Sequence, residues 1–136
     1  MAPREVFSAY NPTSATGGVV GVSDGAQDAP VVNITNDNTT VIADAAGNPT
    51  SFANTGTTIT AFIGATQLNY DGSSPYANNT FRVSSVSAST GLTIDSTPTI
   101  GSNNYVLDNI SAMTSDVGTV TFTIIVTDSL GRANTF

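Results

Sequence analysis

Four side-chain types are missing from this chain of 136 residues, which contains no Cys, His, Trp or Lys. Without Cys, neither disulfides nor thiol chemistry is available. A Ser nucleophile needs a neighbouring base, and His, Cys and Lys, which usually supply it, are absent. A carboxylate pair would suit a glycosidase, but most aspartates stand beside Gly, Asn or Ser, where turn formation explains them. We therefore predict that the protein is not an enzyme.

Charge is also scarce, and it is mostly negative. Charged residues make up 10% of the chain, whereas ordinary soluble proteins contain roughly 25%. The basic residues are Arg4, Arg82 and Arg132, and the formal net charge is −7. Such a surface repels nucleic acid and anionic membranes, so we expect neither as a partner.

Long apolar runs are missing as well. No segment approaches the roughly 18 apolar residues of a membrane span, and residues 1–7 lack an apolar stretch of signal-peptide length. We therefore expect synthesis in a host cytoplasm without a signal peptide. The polarity is supplied by Thr, Ser, Asn and Gly, a composition common in secreted and virion β-proteins. Together these features favour a virion component that is released by lysis.

Residues 1–30 show no sustained periodicity. Asn11-Pro12, Gly17-Gly18 and Asp24-Gly25 interrupt them, and such pairs mark turns and loops. Only residues 19–22 have the composition of a short strand. We interpret this part as an extended N-terminal arm that attaches to a neighbouring subunit, with a flexible tail as the alternative. Its candidate contact residues are Val6, Phe7, Tyr10, Val19, Val20 and Val22.

Residues 31–136 carry strand signals at short intervals. Many short strands separated by turn residues predict an all-β domain with a β-sandwich architecture. Phe81 and Val83 fall on one strand face and Val86 and Ala88 on the other, so we predict a β-bulge near Ser84-Ser85 that returns Val86 and Ala88 to the core. The predicted strands are 31–35, 39–43, 57–63, 67–70, 81–88, 92–94, 105–107 and 118–127, and residues 110–113 could form one helical turn.

The end of the chain predicts an incomplete strand pair. Residues 119–127 alternate apolar side chains with Thr, as in a strand with one buried and one wet face. Residues 128–131 have turn chemistry, and the returning strand of about five residues is too short to match the strand before it. We expect further chain or a neighbouring subunit to cover the exposed edge. Thr135 and Phe136 are therefore candidate interface residues.

Two apolar residues break the polar faces of their strands. Phe62 lies on the face opposite to Ile59 and Ile63, and Ile125 interrupts the Thr face of the last long strand. Both are candidate partner contacts. We assign most of the rings of Phe52, Tyr70 and Tyr76 to the core, because a chain with 7% aromatic residues and no Trp has few rings to bury.

Calcium is the metal that this composition would suit best, because it takes clustered oxygen ligands from Asp, Asn and backbone carbonyls. The candidate ligands are Asn36, Asp37, Asn38 and Asp71. The chain has no EF-hand spacing, and Asn-rich turns are usually just turns. We therefore predict no bound metal and no cofactor.

Four segments carry a resemblance to a known family: residues 41–47, 51–59, 81–83 and 118–131. Their order follows the pattern strand, D-x-x-G, S-F-x-x-S/T-G-T, strand, closing in T-V-T-F-T-I-x-V-x-D-S-L-G. The chain from residue 31 to 136 thereby resembles a bacteriophage immunoglobulin-like module of virion fibres and tail proteins. The resemblance implies an Ig-like β-sandwich that acts as a spacer or adhesive module, with a last strand that usually continues beyond the position of Phe136.

The expected function is therefore that of a non-enzymatic virion structural protein, with an N-terminal attachment arm and one Ig-like module of a phage fibre or tail protein. Its expected partners are other virion structural proteins, copies of itself and host-surface glycans. The alternatives are a head-decoration protein, a strand-exchanging filament subunit and a bacterial adhesin repeat.

Overall fold

The computed structural model describes residues 28–136. These residues form an all-β structure of eleven strands without a helix, so none of its elements could cross a membrane as a helix. The first strand begins at Pro30, and the predicted arm lies almost wholly outside the described part. The strands are β1 (Pro30–Ile34), β2 (Thr57–Ile63), β3 (Thr66–Gln67), β4 (Asn69–Tyr70), β5 (Thr80–Ala88), β6 (Leu92–Thr93), β7 (Thr99–Ile100), β8 (Tyr105–Leu107), β9 (Ala112–Met113), β10 (Val120–Thr127) and β11 (Ala133–Thr135).

Two larger sheets and one small ribbon contain these strands. The first sheet has the order β1-β2-β8-β7, with β3 folded back on β2 as a hairpin. The second sheet has the order β11-β10-β5-β4, and β6 pairs with β9 as a separate ribbon. All pairs are antiparallel except β4 with β5, which is parallel. Both larger sheets contribute side chains to one hydrophobic core, which is consistent with a β-sandwich.

The core follows from the alternation of apolar and polar residues along the strands. In β2, Ile59 and Ala61 are fully buried, whereas Thr58 and Thr60 point to the partly exposed face. Burying a large apolar side chain stabilises the fold by about 1.5–3 kcal/mol. The buried cluster consists of Ile59, Ala61, Leu68, Phe81, Tyr105, Leu107, Ile124 and Val126.

Three aromatic rings connect the two sheets. The ring of Tyr70 meets the ring of Phe81 edge-on at 5.3 Å between centroids, and lies 5.8 Å from the ring of Tyr105. Phe81 belongs to the second sheet and Tyr105 to the first. Aromatic pairs at such distances add about 0.5–1.5 kcal/mol beyond their buried area. The short strand β4 therefore holds the sheets together through Tyr70.

The predicted bulge is present in β5. Thr123 of β10 pairs with Ser85, and the next residue of β10, Ile124, pairs with Val83, so Ser84 is the extra residue. The Ser84 hydroxyl donates a hydrogen bond to the carbonyl oxygen of Thr123 at 3.3 Å. Val83 and Val86 consequently both pack against the core.

The turn between β10 and β11 is organised by Asp128, whose side chain is buried. Its carboxylate accepts hydrogen bonds from the backbone N–H groups of Leu130 (2.8 Å) and Arg132 (2.9 Å) and from Nε of Arg132 (2.7 Å). Burial raises the pKa of Asp128, but the hydrogen bonds from Arg132 and Leu130 and the charge of Arg132 outweigh it, so the net pKa is lowered. The sequence predicted this turn, but it also predicted Thr127 on the wet face, whereas Thr127 is buried.

The strand predicted at 39–43 is wrong. Only one isolated bridge forms there, between Ala43 and Pro49, and Thr50 N–H donates to the carbonyl of Ile42 at 2.9 Å. The bridge is completed by Asp44 N–H, which donates to the carbonyl of Asn48 at 2.8 Å, and no further strand pairing follows it. Asp44 closes the loop instead, because its carboxylate accepts the backbone N–H groups of residues 46 and 48.

Other boundaries also differ from the prediction. Residues 67–70 do not form one hairpin arm, since β3 pairs with β2 while β4 leaves for the other sheet. The strand predicted at 92–94 ends at Thr93, and residues 110–113 contain the strand β9 instead of a helical turn. These short segments depend on partners distant in sequence, which local patterns do not reveal.

Candidate interaction surfaces

A groove runs along one open side of the two sheets. It has a volume of about 530 Å³ and lies between β5 of the second sheet and β7 and β8 of the first. Val83, Val86, Ile94 and Ile100 supply apolar walls, and Ile100 is 50% exposed. Ser85, Asp95 and Ser96 add polar groups, so the lining of the groove is mixed.

The floor of this groove contains the ring of Tyr105, and its rim contains Asp95. Burial raises the pKa of Tyr105, and neighbouring Tyr70 and Asp95 raise it further. Asp95 accepts hydrogen bonds from the backbone N–H (2.9 Å) and hydroxyl (3.0 Å) of Thr97, which with smaller contributions from Asp108 and Ser96 lower its pKa against the opposing effect of burial. The groove therefore combines apolar walls with one anionic rim residue.

The edge of β5 beside the groove is only partly covered. On the side away from β10, β4 pairs with Thr80 and Phe81 alone. Within residues 28–136, the stretch from Val83 to Ala88 has no strand neighbour on that side. An uncovered edge presents N–H and C=O groups that can pair with another chain.

A second uncovered edge lies at the end of the described chain. β11 pairs with Ile125–Thr127, and Phe136 exchanges backbone hydrogen bonds with Ile124 at 2.8 and 3.0 Å. Residues 120–123 of β10 therefore have no strand on this side among the described residues. Thr135 and Phe136, both predicted as interface residues, are exposed here, and Phe136 borders the uncovered stretch.

Phe62 lies on the outer face of the first sheet, as its position in the alternation predicts. It is half-buried and pairs across the strands with Val31, which is 55% exposed, and with Gln67. Phe62 and Val31 thus form a small apolar patch. That a partner contacts this patch stays a prediction.

Ile125 lies on the outer face of the second sheet. Its cross-strand neighbours are Arg82 and Thr135. The guanidinium carbon of Arg82 lies 3.6 Å from the centroid of the Tyr76 ring, a cation–π contact. Since Phe62 and Ile125 belong to different sheets, the structure does not bring these two candidates into one surface.

The calcium candidates in the first loop serve to hold the loop. The amide nitrogen of Asn36 donates to the carbonyl oxygens of Asn54 and Gly56, the latter at 2.8 Å, and its amide oxygen accepts the Thr39 hydroxyl at 2.8 Å. Asn36 also adopts a positive φ of 58°, a conformation that Asn tolerates in turns. Asp37 and Asn38 are exposed in the same loop.

Asp71, the fourth calcium candidate, closes a separate loop. Its two oxygens accept the backbone N–H groups of Ser73 (3.1 Å) and Ala77 (2.8 Å). The hydrogen bond from Ala77 and then that from Ser73 lower the pKa of Asp71, burial opposes this, and Arg82 adds to the lowering. Among the described residues, no group of three or more His, Cys, Asp or Glu side chains could hold a metal ion.

The remaining predicted interface residues, Val6, Phe7, Tyr10, Val19, Val20 and Val22, lie outside the described residues. Sequence reasoning missed the groove, because its walls come from β5, β7 and β8, which are distant in sequence. The one local signal was Ile100, an apolar residue in a short Thr- and Gly-flanked strand.

Comparison with known proteins is negative: no protein-family model, no curated protein and no solved structure matches the chain.

Proposed function

We propose that this protein is a non-enzymatic structural component of a phage virion, in which an Ig-like module spaces or presents other parts and the N-terminal arm attaches it to its neighbours. The proposal places the protein in a fibre or tail. Its partners are other virion structural proteins and copies of itself, with host-surface glycans as a further target of weak adhesion.

The order of the strands is the observation that carries the proposal. Constant-type immunoglobulin domains arrange strands A, B, E and D in one sheet and C, F and G in the other. Here the orders β1-β2-β8-β7 and β5-β10-β11 follow that arrangement if the seven strands are lettered in chain order as A (β1), B (β2), C (β5), D (β7), E (β8), F (β10) and G (β11). The strand order therefore supports the Ig-like assignment.

The module differs from antibody domains in the groups that link its two sheets. It has no Cys and no Trp, so it lacks the inter-sheet disulfide and the ring that packs on it. The link between the sheets is made by Tyr70, Phe81 and Tyr105 instead. A core without disulfides suits a protein that is made in a reducing cytoplasm and assembled there.

The roles of the aspartates support a structural function. Asp44, Asp71, Asp95 and Asp128 each accept backbone N–H groups of their own loops. These carboxylates stabilise turns, which gives half of the described aspartates a structural role. Low charge also favours close subunit packing, because few long charged side chains must be ordered at an interface.

The test uses purified particles of the phage that encodes the chain. Mass spectrometry should find the full chain in particles. A variant that starts at Val31 should be lost from the particles. A control in which residues 1–30 are scrambled keeps the length of the arm but not its sequence, and it should also be lost. Absence of the full chain from particles would overturn the virion assignment, and retention of the truncated variant would overturn the role of the arm.

A further inference from the structure

The groove and the uncovered edge of β5 form one continuous surface. Backbone groups alternate in direction along a strand. Phe81 C=O accepts Asp71 N–H on the side away from β10, so Val83 also points its backbone groups to that side. Beyond the bulge, Ser89 N–H donates to Thr119 next to β10, so the groups of Val86 and Ala88 point away from β10. The side chains of Val83 and Val86 line the groove beside these groups.

This surface has the requirements of an acceptor for an added strand. In strand addition, main-chain hydrogen bonds to an open sheet edge provide affinity, and pockets for alternate side chains provide specificity. The edge of β5 offers the main-chain groups, and the groove between the sheets offers apolar contacts at Val83, Val86 and Ile100 beside polar ones. Asp95 at the rim disfavours a segment with acidic residues.

One segment of this chain matches these requirements. Residues 19–22 read Val-Val-Gly-Val, and no charged residue occurs from Asn11 to Ser23. In an extended conformation, Val20 and Val22 project to the same side, where both can enter the groove, while Gly21 projects to the other side. β-branched residues also favour the strand conformation.

The length of the arm indicates that this segment comes from another copy. The side chain of Asp28 lies beside Gly64, at the end of the first sheet where Pro30 pairs with Ile63. Cross-strand pairing places the groove residue Ile100 in one row with Ile34 of β1, three strands away from it. Ile34 is six residues after Asp28. With ~3.3 Å per residue and ~4.8 Å per strand, the separation is about 24 Å.

Six residues join Asp28 to Val22 and span at most about 20–22 Å. A fully extended arm therefore ends about 2–4 Å short of the row of Ile100, which favours an arm from another copy. A second copy has no such restriction. We propose that residues 19–22 of one copy add as a strand to the edge of β5 in a neighbouring copy, with Val20 and Val22 in the groove. This inference rests on the proposed role of the arm and specifies its acceptor.

Disulfide trapping tests the proposal directly, because the chain contains no Cys of its own. One variant carries Gly21→Cys or Ser23→Cys in the arm, and a second carries Ser85→Cys, an exposed position of β5 beside the groove. Disulfides need Cα atoms within about 7 Å. Mixing the full-length variants and oxidising them should give the mixed dimer, identified by its intact mass.

Two control acceptors locate the contact. Thr121→Cys reports on the uncovered edge of β10, and Asn33→Cys reports on the exposed face of β1. Both should give much less mixed dimer than Ser85→Cys. Equal yields from the three acceptors, a higher yield at Thr121→Cys, or a disulfide that forms only within a double variant Gly21→Cys/Ser85→Cys would overturn the proposal.

A second measurement tests the same contact without introduced cysteines, whose placement could prevent a disulfide. The double variant Val20→Asp/Val22→Asp alters no residue of the described fold and puts acidic groups into the groove beside Asp95. Sedimentation of the native chain should show association that rises with concentration, and the double variant should lose it at least tenfold in affinity. A native chain that stays monomeric, or an unchanged affinity, would overturn the proposal. In that case the proposed function would still stand if the arm is needed for binding to particles, and only the groove as acceptor of residues 19–22 would be disproved.

Discussion

Val83 and Val86 pack against the same core although an odd number of positions separates them along β5. A regular strand would place them on opposite faces. The extra residue Ser84 corrects the alternation, and it does so at the position where β5 borders the groove. The bulge thus shapes both the core and the proposed acceptor surface.

The bulge yields the first prediction. Deleting Ser84 leaves Val83 and Val86 two positions apart and lets β5 pair with β10 without a shift, so the variant should fold with nearly native stability. Inserting one more Ser beside Ser84 should turn Val86 away from the core and cost about 1.5–3 kcal/mol. Urea denaturation measures both values, and a deletion that costs as much as the insertion would contradict this account of the bulge.

Two phenylalanines should respond differently to truncation. Phe81 is 1% exposed and contacts Tyr70, so Phe81→Ala should lower the free energy of unfolding by about 3–5 kcal/mol. Phe62 is half-buried on an outer face, so Phe62→Ala should cost about 1 kcal/mol. Denaturation of the purified variants measures both losses in the free energy of unfolding. Equal losses would contradict the prediction. If a partner covers the patch of Phe62 and Val31, Phe62→Ala should weaken association as well.

Stability should decrease in acid. The pKa values of Asp44, Asp71, Asp95 and Asp128 are lowered from 3.8 in the folded protein. The unfolded state therefore takes up protons first as the pH falls. The stabilisation is present above the unfolded pKa and is lost as the pH falls through the folded values. Melting temperatures measured from about pH 5 to about pH 2 should show this loss.

Asp128→Asn separates the contribution of one carboxylate to that decrease. The variant should be less stable at neutral pH, because the ion pair with Arg132 is lost, and its melting temperature should fall less on acidification. A native acid slope in Asp128→Asn would show that the hydrogen-bonded turn does not contribute to the pH dependence.

Calcium should not stabilise the protein. The amide oxygen of Asn36 and both carboxylate oxygens of Asp71 already accept hydrogen bonds within their own loops. A ligand that binds only the folded state raises its melting temperature. Millimolar Ca²⁺ and a chelator should therefore give the same melting temperature. A rise in Ca²⁺ that disappears in Asp71→Asn would establish a site.

Much of the fold could be predicted from local patterns, and the failures have identifiable causes. The alternation of Ile59, Ala61 and Ile63 with polar residues predicted β2, because one face of the strand must be buried. The segment 39–43 carries similar residues but finds only one bridge partner, Pro49. Thr127 follows the polar side of its pattern, yet it is buried where β10 pairs with Thr80 on one side and Ala133 on the other. The segments available for pairing therefore decided which stretches with strand propensity became strands.

The candidate surfaces divide in the same way. The alternation in β2 and β10 put Phe62 and Ile125 on outer faces, and the amino-acid composition excluded thiol and His chemistry. The sequence by itself thus determined the all-β class, a bulge near Ser84-Ser85 and the absence of the usual catalytic bases, because these depend on residue type and local period. Only the tertiary structure decided the groove between β5 and β7, the uncovered edge beside it and the strand order, because each arises where residues distant in the chain are brought together by packing of the two sheets.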